Sequence, residues 1–230
     1  MTTEAAPERD PDEHILDQVE IRVLAVLAEK EALTPDAYPL SLNALTNGCN
    51  QLSSRDPVMT LTDAGVHDAL QRLMQRKLAA EVSQAGARVA KYEHRMRVKW
   101  TLEQDKLAVL TILMLRGSQT VGEIRARSER MHAFSSIEQV ETSLQFLIDK
   151  YPPLVARLAR MPGAKESRFA QLLSGELAIE QQEIAAAFSG SARVDGRQDR
   201  VAHLEAEVAQ LRTAVDDLSA EFAQFKKQFD

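Results

Sequence analysis

Hydrophobic residues at helical spacing predict that the chain begins with a series of amphipathic helices. Asp17 and Glu20 have the spacing of a capping box, so a first helix is expected to begin there. Its buried stripe consists of Val19, Val23, Val26 and Leu27. Ser41 is placed to cap a second helix, which is expected to run to about Gln51.

A third helix and a hairpin complete this first set of elements. Thr62 can cap the helix. Its buried positions are Val66, Leu70, Leu73 and Leu78. Residues 79–83 and 88–92 alternate apolar and polar side chains on either side of a turn at Gly86, which predicts two antiparallel strands.

The same order of elements returns in the second half of the chain. Thr101, Thr120 and Ser135 are each followed three residues later by Gln or Glu, so each is predicted to open a helix. Residues 154–160 and 167–173 flank a Pro-Gly turn and predict a second hairpin. Three helices followed by a hairpin, twice, is the plan of two tandem winged helix-turn-helix domains. The predicted fold is therefore mainly α with small β-hairpin wings.

The last part of the chain has the pattern of a coiled coil. Apolar residues alternate spacings of three and four over about four heptads, at Val201, Leu204, Val208, Leu211, Val215, Leu218, Phe222, Phe225 and Phe229. Valine at a and leucine at d favour a parallel two-stranded coil, and flanking pairs such as Glu207 and Arg212 are opposite in sign. Alternatively, the helix folds back on its own chain, which a flexible link at 189–196 would also allow.

These patterns divide the chain into five predicted segments. They are a disordered N-terminus at 1–13, winged-helix domains at 14–99 and 100–178, a short helix with a flexible linker at 179–196, and the coiled coil at 197–230. The coiled coil predicts a homodimer.

Composition narrows the class of protein. A net charge of −6 and a pI near 5.5 do not indicate a globally basic nucleic-acid binder, although a local basic face is compatible with both. The single cysteine, Cys49, excludes an internal disulfide and a Cys-rich zinc site. No apolar run is long enough to span a bilayer, and the polar N-terminus does not resemble a signal peptide. A cytoplasmic protein without membrane contact is expected.

Several short stretches, in fixed order, resemble a known family. They are RVL at 22–24, EKE at 29–31, YPLSLN at 38–43, CNQ at 49–51, SSR at 53–55, PV at 57–58 and KYEHR at 91–95. Together they resemble the YceH-like family of uncharacterised bacterial proteins. The resemblance covers roughly residues 14–175 and implies tandem winged-helix domains. It implies no known activity, so it supplies no catalytic residues.

If the protein binds DNA, the third helix and the first hairpin are expected to contact it. The candidate residues are Arg55, Arg72, Arg76, Lys77, Arg88, Lys91 and Arg95, with Arg97 and Lys99 adding to a basic hairpin. A basic hairpin can follow a phosphate backbone, but its charges can equally serve to protect a sheet edge from pairing. The second half has an acidic third helix, exemplified by Glu138 and Glu141, and is not expected to read bases.

The second helix carries amides on one face. Asn43, Asn47 and either Asn50 or Gln51 recur at helical spacing. Amides can bond phosphate or a partner, but a structural network is the favoured interpretation because such residues also cap helices and complete turns. Cys49 is expected to be a small buried hydrophobe.

The leading hypothesis is a DNA-binding, transcription-regulator-like role through the first domain. The alternative is a protein-interaction scaffold that uses winged helices without binding nucleic acid. A continuous basic face across the third helix and hairpin would favour DNA. An enzyme is not expected, because the five histidines lack metal-ligand spacing and neither a phosphate loop nor a nucleophile elbow occurs. No cofactor or metal is predicted.

Overall fold

The computed structural model describes residues 15–82, 89–160 and 166–175. Within these ranges lie seven α-helices: α1 (Gln18–Leu33), α2 (Leu42–Cys49), α3 (Asp63–Gln75), α4 (Met96–Trp100), α5 (Gln104–Arg116), α6 (Val121–Ser128) and α7 (Ile137–Ile148). The strands are β1 (Leu40–Ser41), β2 (Ala79–Val82), β3 (Lys91–His94), β4 (Val155–Arg157) and β5 (Phe169–Gln171). The expectation of a mainly helical chain with small antiparallel sheets is confirmed.

The first three helices begin at the predicted caps. Asp17 Oδ1 accepts a hydrogen bond from Glu20 N at 2.8 Å, and Glu20 Oε2 accepts one from Asp17 N at 2.8 Å, which completes the capping box of α1. The side chains of Ser41 and Thr62 each accept a bond from the backbone N–H three residues on, so they cap α2 and α3. These local signals are strong because each one satisfies an N–H group that the helix leaves unpaired.

Helices α1 and α5 lie at the centre of the described part of the protein. Residues 20–29 of α1 and 107–115 of α5 are all buried. A helix that is buried on every side must be surrounded by other elements, and α1 packs directly against α5. One continuous hydrophobic cluster includes Leu24 and Leu27 of the first half and Leu110 of the second. The two halves therefore share a core.

Each half has a small antiparallel sheet, three-stranded in the first half and two-stranded in the second. In the first half the order is β1–β3–β2, with Leu40 opposite Tyr92. In the second half β4 pairs with β5, and Gln119 bridges to Phe169. Gln119 precedes α6 and pairs with β5, just as β1 precedes α2 and pairs with β3. Strand β3 begins at Lys91, later than the predicted 88–92.

Two predicted helix starts, at Thr101 and Ser135, are wrong, and one helix was not predicted. Residues 96–100 form the unpredicted helix α4. Thr101 ends that helix in a left-handed conformation with φ of 52°, and the N-cap of α5 is Glu103. Ser136, not Ser135, caps α7 by accepting from the backbone of the third helical residue. A five-residue helix has too few residues to show a periodic stripe, which is why the sequence gives no sign of α4.

Some predictions concern residues outside the described ranges. They are the N-terminus at 1–13, the tip of the first hairpin with Arg88, the linker at 179–196 and the coiled coil at 197–230. These remain predictions from sequence.

Candidate functional site

Arg55 is the buried residue of the otherwise largely exposed loop 51–58 that follows α2. Its guanidinium donates to both carboxylate oxygens of Glu29, at 3.0 and 2.6 Å. It also donates to the carbonyl of Gly48 at 3.2 and 3.0 Å and to Gln51 Oε1 at 2.9 Å. The side chain is fully buried. The prediction that Arg55 contacts DNA is therefore wrong. All three nitrogen atoms of its guanidinium group already donate to acceptors within the protein.

Arg22 of α1 is a second buried arginine beneath the same loop. It donates to Cys49 O at 3.1 Å and to Pro57 O at 2.6 Å. The carbonyls of Gly48 and Cys49 lie in the last turn of α2, where no intrahelical donor is available. Arg22 and Arg55 thus close the C-terminal end of α2 with positive charge, as the helix dipole favours. Burial, followed by the like charge of Arg55, lowers the pKa of Arg22.

The acid in this network stays ionised at neutral pH. Burial alone would raise the pKa of Glu29, but the hydrogen bond and charge of Arg55 outweigh it and the net shift is downward. The thiol of Cys49, by contrast, is buried. Burial raises the pKa of its thiol to about 12, which confirms its predicted role as a small buried hydrophobe.

The end of α5 fixes the loop from the other half of the chain. Arg116 Nη2 donates to Ser54 Oγ at 2.6 Å, and Asp56 N donates to Leu115 O at 2.8 Å. Ser54 adopts a left-handed conformation with φ of 63°, which a non-glycine residue keeps only when its surroundings hold it. Loop 51–58 is consequently held by contacts with α1, α2 and α5.

This fixed loop exposes two aliphatic side chains. Leu52 is 84% exposed and Val58 is 51% exposed. Single exposed apolar residues are common on protein surfaces. Their position on a loop held by two buried arginines is the unusual feature.

The amide face of α2 separates into a structural part and an exposed part. Asn50 exchanges hydrogen bonds with the backbone of Leu61, at 2.8 and 2.7 Å, and Gln51 accepts from Arg55. These contacts support the structural interpretation. Asn43 accepts from Asn47 at 3.2 Å, and both side chains are exposed.

Arg72 of α3 and Arg76, its C-cap, contact carboxylates at the start of α1. Arg72 donates to Asp17 Oδ2 at 2.6 Å and to Glu20 Oε1 at 3.1 Å. Arg76 donates to the carbonyl of Ile15 and lies 3.9 Å from Glu20 Oε2. These contacts neutralise the charge that α3 would present to a phosphate backbone.

The first hairpin is less basic than the sequence predicts. Arg95, Arg97 and Lys99 lie after β3, at the start of α4 and within it, and so do not belong to the hairpin. Arg95 pairs with Glu93 at 2.8 Å, and Arg97 pairs with Glu31 at 2.9 Å.

Unpaired cations are few on this surface. Within the described ranges, Lys77, Lys91 and Lys99 form no ion pair. The exposed acids Asp63 and Asp68 lie on the same helix as Arg72. The part of the first half that the structure describes therefore carries no continuous basic face across α3, β2, β3 and α4.

Comparison with known proteins identifies the family. A family model described as "Protein of unknown function, DUF480" matches residues 16–164. The chain belongs to this family. It is 64% identical over 229 residues to a UPF0502 protein of Janthinobacterium sp. (strain Marseille), covering 99% of this chain and 97% of the relative. It is 61% identical over 229 residues to UPF0502 protein HEAR1280 of Herminiimonas arsenicoxydans, covering 100% and 96%.

A more distant relative also aligns over nearly its whole length. UPF0502 protein GSU0233 of Geobacter sulfurreducens is 45% identical over 219 residues, covering 95% of this chain and 100% of the relative. The resemblance to an uncharacterised bacterial family is confirmed. Several of the stretches that carried it, at 22–24, 29–31, 49–51 and 53–55, supply the buried network of Arg22, Glu29 and Arg55.

A second polar cluster in this DUF480 protein surrounds Glu31. His94 Nε2 lies 3.1 Å from Glu31 Oε2, and His94 Nδ1 accepts from Met96 N at 3.2 Å. Nε2 is therefore the ring nitrogen that faces the carboxylate. Tyr38 Oη accepts from His94 N at 2.8 Å. The hydrogen bond from His94, aided by Arg97, lowers the pKa of Glu31 to about 2 despite partial burial.

Glu31→Gln should make the free energy of unfolding less dependent on pH in the acidic range. A pKa depressed from 4.5 to about 2 contributes stability that is present above pH 4.5 and is lost as pH falls towards 2. Glu31 is 30% exposed, so solvent screening reduces the loss in the variant to on the order of 1 kcal/mol at pH 7. Urea unfolding at several pH values should show the two proteins converging between pH 5 and 2; a constant difference would contradict the assignment.

Within the described residues, no group of three or more His, Cys, Asp or Glu side chains is arranged to hold a metal ion. The same part of the chain contains no helix that is both long and apolar enough to cross a membrane.

Proposed function

We propose that this DUF480 protein is a cytoplasmic protein-interaction scaffold whose docking surface includes loop 51–58. The observation that carries the proposal is the burial of Arg55 beneath the loop, with Leu52 and Val58 directed outward. A loop that is ordered before binding loses little conformational entropy on binding. A partner could therefore recognise these two side chains through a modest contact area.

The composition of the network supports a role beyond stability. Removing two guanidinium groups and a carboxylate from water is unfavourable, and such groups often stabilise a protein no more than apolar residues would. Ser54 adds a backbone conformation that costs about 1 kcal/mol or more. The desolvated charges and the strained Ser54 together fix the shape of the loop. A fixed shape is the property that a docking surface needs.

We also propose that the two halves are tandem winged helix-turn-helix domains, at 14–99 and 100–178. Three helices precede each hairpin, namely α1–α2–α3 and α5–α6–α7, and each half has a small antiparallel sheet. Winged helices can contact either nucleic acid or protein, so the fold is compatible with both candidate functions.

We further propose that residues 197–230 pair two copies through a parallel coiled coil. The unbroken heptad seam supports this arrangement. Deleting 197–230 should change a dimer into a monomer in light scattering. Leu211→Asp should have the same effect, because a charge at d would be buried without a partner, whereas the flanking Gln210→Asp should not. A truncated chain that stays dimeric would contradict the proposal.

DNA binding through the first domain is the second candidate function. It is favoured by Lys77, Lys91 and Lys99, which have no ion-pair partner among the described residues. Against it stand the carboxylates that hold Arg72 and Arg76. Counterion release from DNA needs a net positive contact surface.

Binding of random-sequence duplex DNA at ~50 and ~200 mM salt tests the choice between the two functions. The scaffold proposal predicts no saturable, salt-sensitive binding by the full chain. Binding that weakens steeply with salt and is lost in Lys77→Glu/Lys91→Glu, but kept in the control Arg130→Glu/Lys150→Glu, would instead support the DNA-binding role.

A further inference from the structure

The second half contains a groove that the proposed docking loop does not use. It has a volume of about 1100 Å³ and lies between α7, the start of α6 and the hairpin β4–β5. Its apolar lining consists of Val121, Ile137, Leu144, Ile148 and Phe169. The groove shares no residue with loop 51–58.

The two walls of the groove carry opposite charges. Glu138 and Glu141 of α7 line one wall, and Arg157, Arg160 and Glu166 line the wall formed by the β4–β5 hairpin, which keeps a net positive charge. None of these five side chains forms an ion pair with another residue in the described ranges. Arg157 lies over the ring of Phe169, with 5.9 Å between its guanidinium carbon and the ring centroid.

This charge arrangement selects between kinds of ligand. An acidic helix wall repels a polyanion, so a nucleic acid does not fit the groove. Opposite charges facing each other across an apolar surface suit a segment that is apolar on one side and carries both signs of charge at its edges. Such electrostatic complementarity fixes the direction in which a bound segment lies.

We propose that this groove binds a short segment of a protein partner, with apolar residues against the half-buried Ile137 and Ile148, a Lys or Arg beside Glu138 and Glu141, and an Asp or Glu beside Arg157 and Arg160. This inference rests on the proposed interaction function and names a second docking surface for it.

Selection from a phage library of random 12-residue peptides against the full chain tests the inference. Enriched peptides should pair large apolar residues with a basic residue on one side and an acidic residue on the other. Fluorescence anisotropy with a synthetic enriched peptide should show about five- to tenfold weaker binding to Glu138→Lys/Glu141→Lys, as expected for two partly exposed ion pairs. The matched control Asp36→Lys/Glu81→Lys, which changes two exposed acids elsewhere, should bind normally.

A peptide with a reversed charge tests whether its basic residue binds beside Glu138 and Glu141. Replacing its basic residue with Asp should restore binding to Glu138→Lys/Glu141→Lys and weaken binding to the unmodified protein. No enrichment, or equal binding to all variants, would overturn the inference. Peptides that lose binding on Leu52→Asp alone would overturn the groove assignment while supporting the docking loop.

Discussion

Arg55→Ala is expected to lower the free energy of unfolding by about 3–5 kcal/mol, measured by urea or thermal unfolding. The substitution leaves Glu29 ionised and buried without its main partner, and it removes both donors from the carbonyl of Gly48. An uncompensated buried charge accounts for most of the expected loss.

Three comparisons isolate this effect. Arg55→Lys should retain part of the stability, since an ammonium group keeps the charge but cannot bond Glu29 and Gly48 as a fork. Glu29→Gln combined with Arg55→Ala should cost less than the sum of the single changes, because the two residues share one interaction. Arg130→Ala, at an exposed position, should change stability by no more than about 0.5 kcal/mol. A loss below ~1 kcal/mol for Arg55→Ala would show that the network contributes little.

Leu110→Ala in α5 should destabilise both halves of the described unit together. Leu110 is fully buried in the cluster that also contains α1, and removing such a side chain costs about 2–5 kcal/mol. Hydrogen exchange should therefore show reduced protection of the most stable amides in α1 and α3 as well as in α5 and α7.

The helices that lose hydrogen-exchange protection in this variant show whether the two halves share one core. Protection lost in α5–α7 alone, with α1–α3 unchanged, would mean that the halves unfold independently. As a control, Val98→Ala, at a side chain that is 76% exposed, should leave protection in both halves unchanged.

Local features of the fold could be predicted from the sequence. The caps at Asp17, Ser41 and Thr62 satisfy N–H groups within three residues, so their partners lie inside the same short stretch. The capping rule does not separate Ser135 from Ser136, because each is followed three residues later by Glu or Gln.

The contacts of the candidate site could not be predicted in this way. Arg55 and Glu29 are 26 residues apart, and Arg72 and Asp17 are 55 apart. In the sequence both arginines look like solvated cations. Hydrophobic periodicity does not indicate which distant carboxylate will lie beside a given arginine in the fold. That contact determines whether the arginine is available to bind a ligand.

One feature of the sequence does indicate the network. Arg22 and Glu29 interrupt the apolar residues of α1, and α1 is buried on every side between residues 20 and 29. Charged residues in a helix that is otherwise apolar all round must find partners inside the protein. The near-continuous apolar composition of 21–28 is therefore the feature from which buried ion pairs could have been inferred.

Site-specific photocrosslinking at position 52 tests the proposed docking loop most directly. The full chain would carry the photoreactive residue benzoylphenylalanine in place of Leu52, in cells of the natural host. The scaffold proposal predicts a discrete protein adduct on irradiation. The same residue at the exposed position Gln75 of α3 should not give that adduct. Absence of an adduct at position 52, or identical adducts at both positions, would contradict the proposal that loop 51–58 is the docking surface.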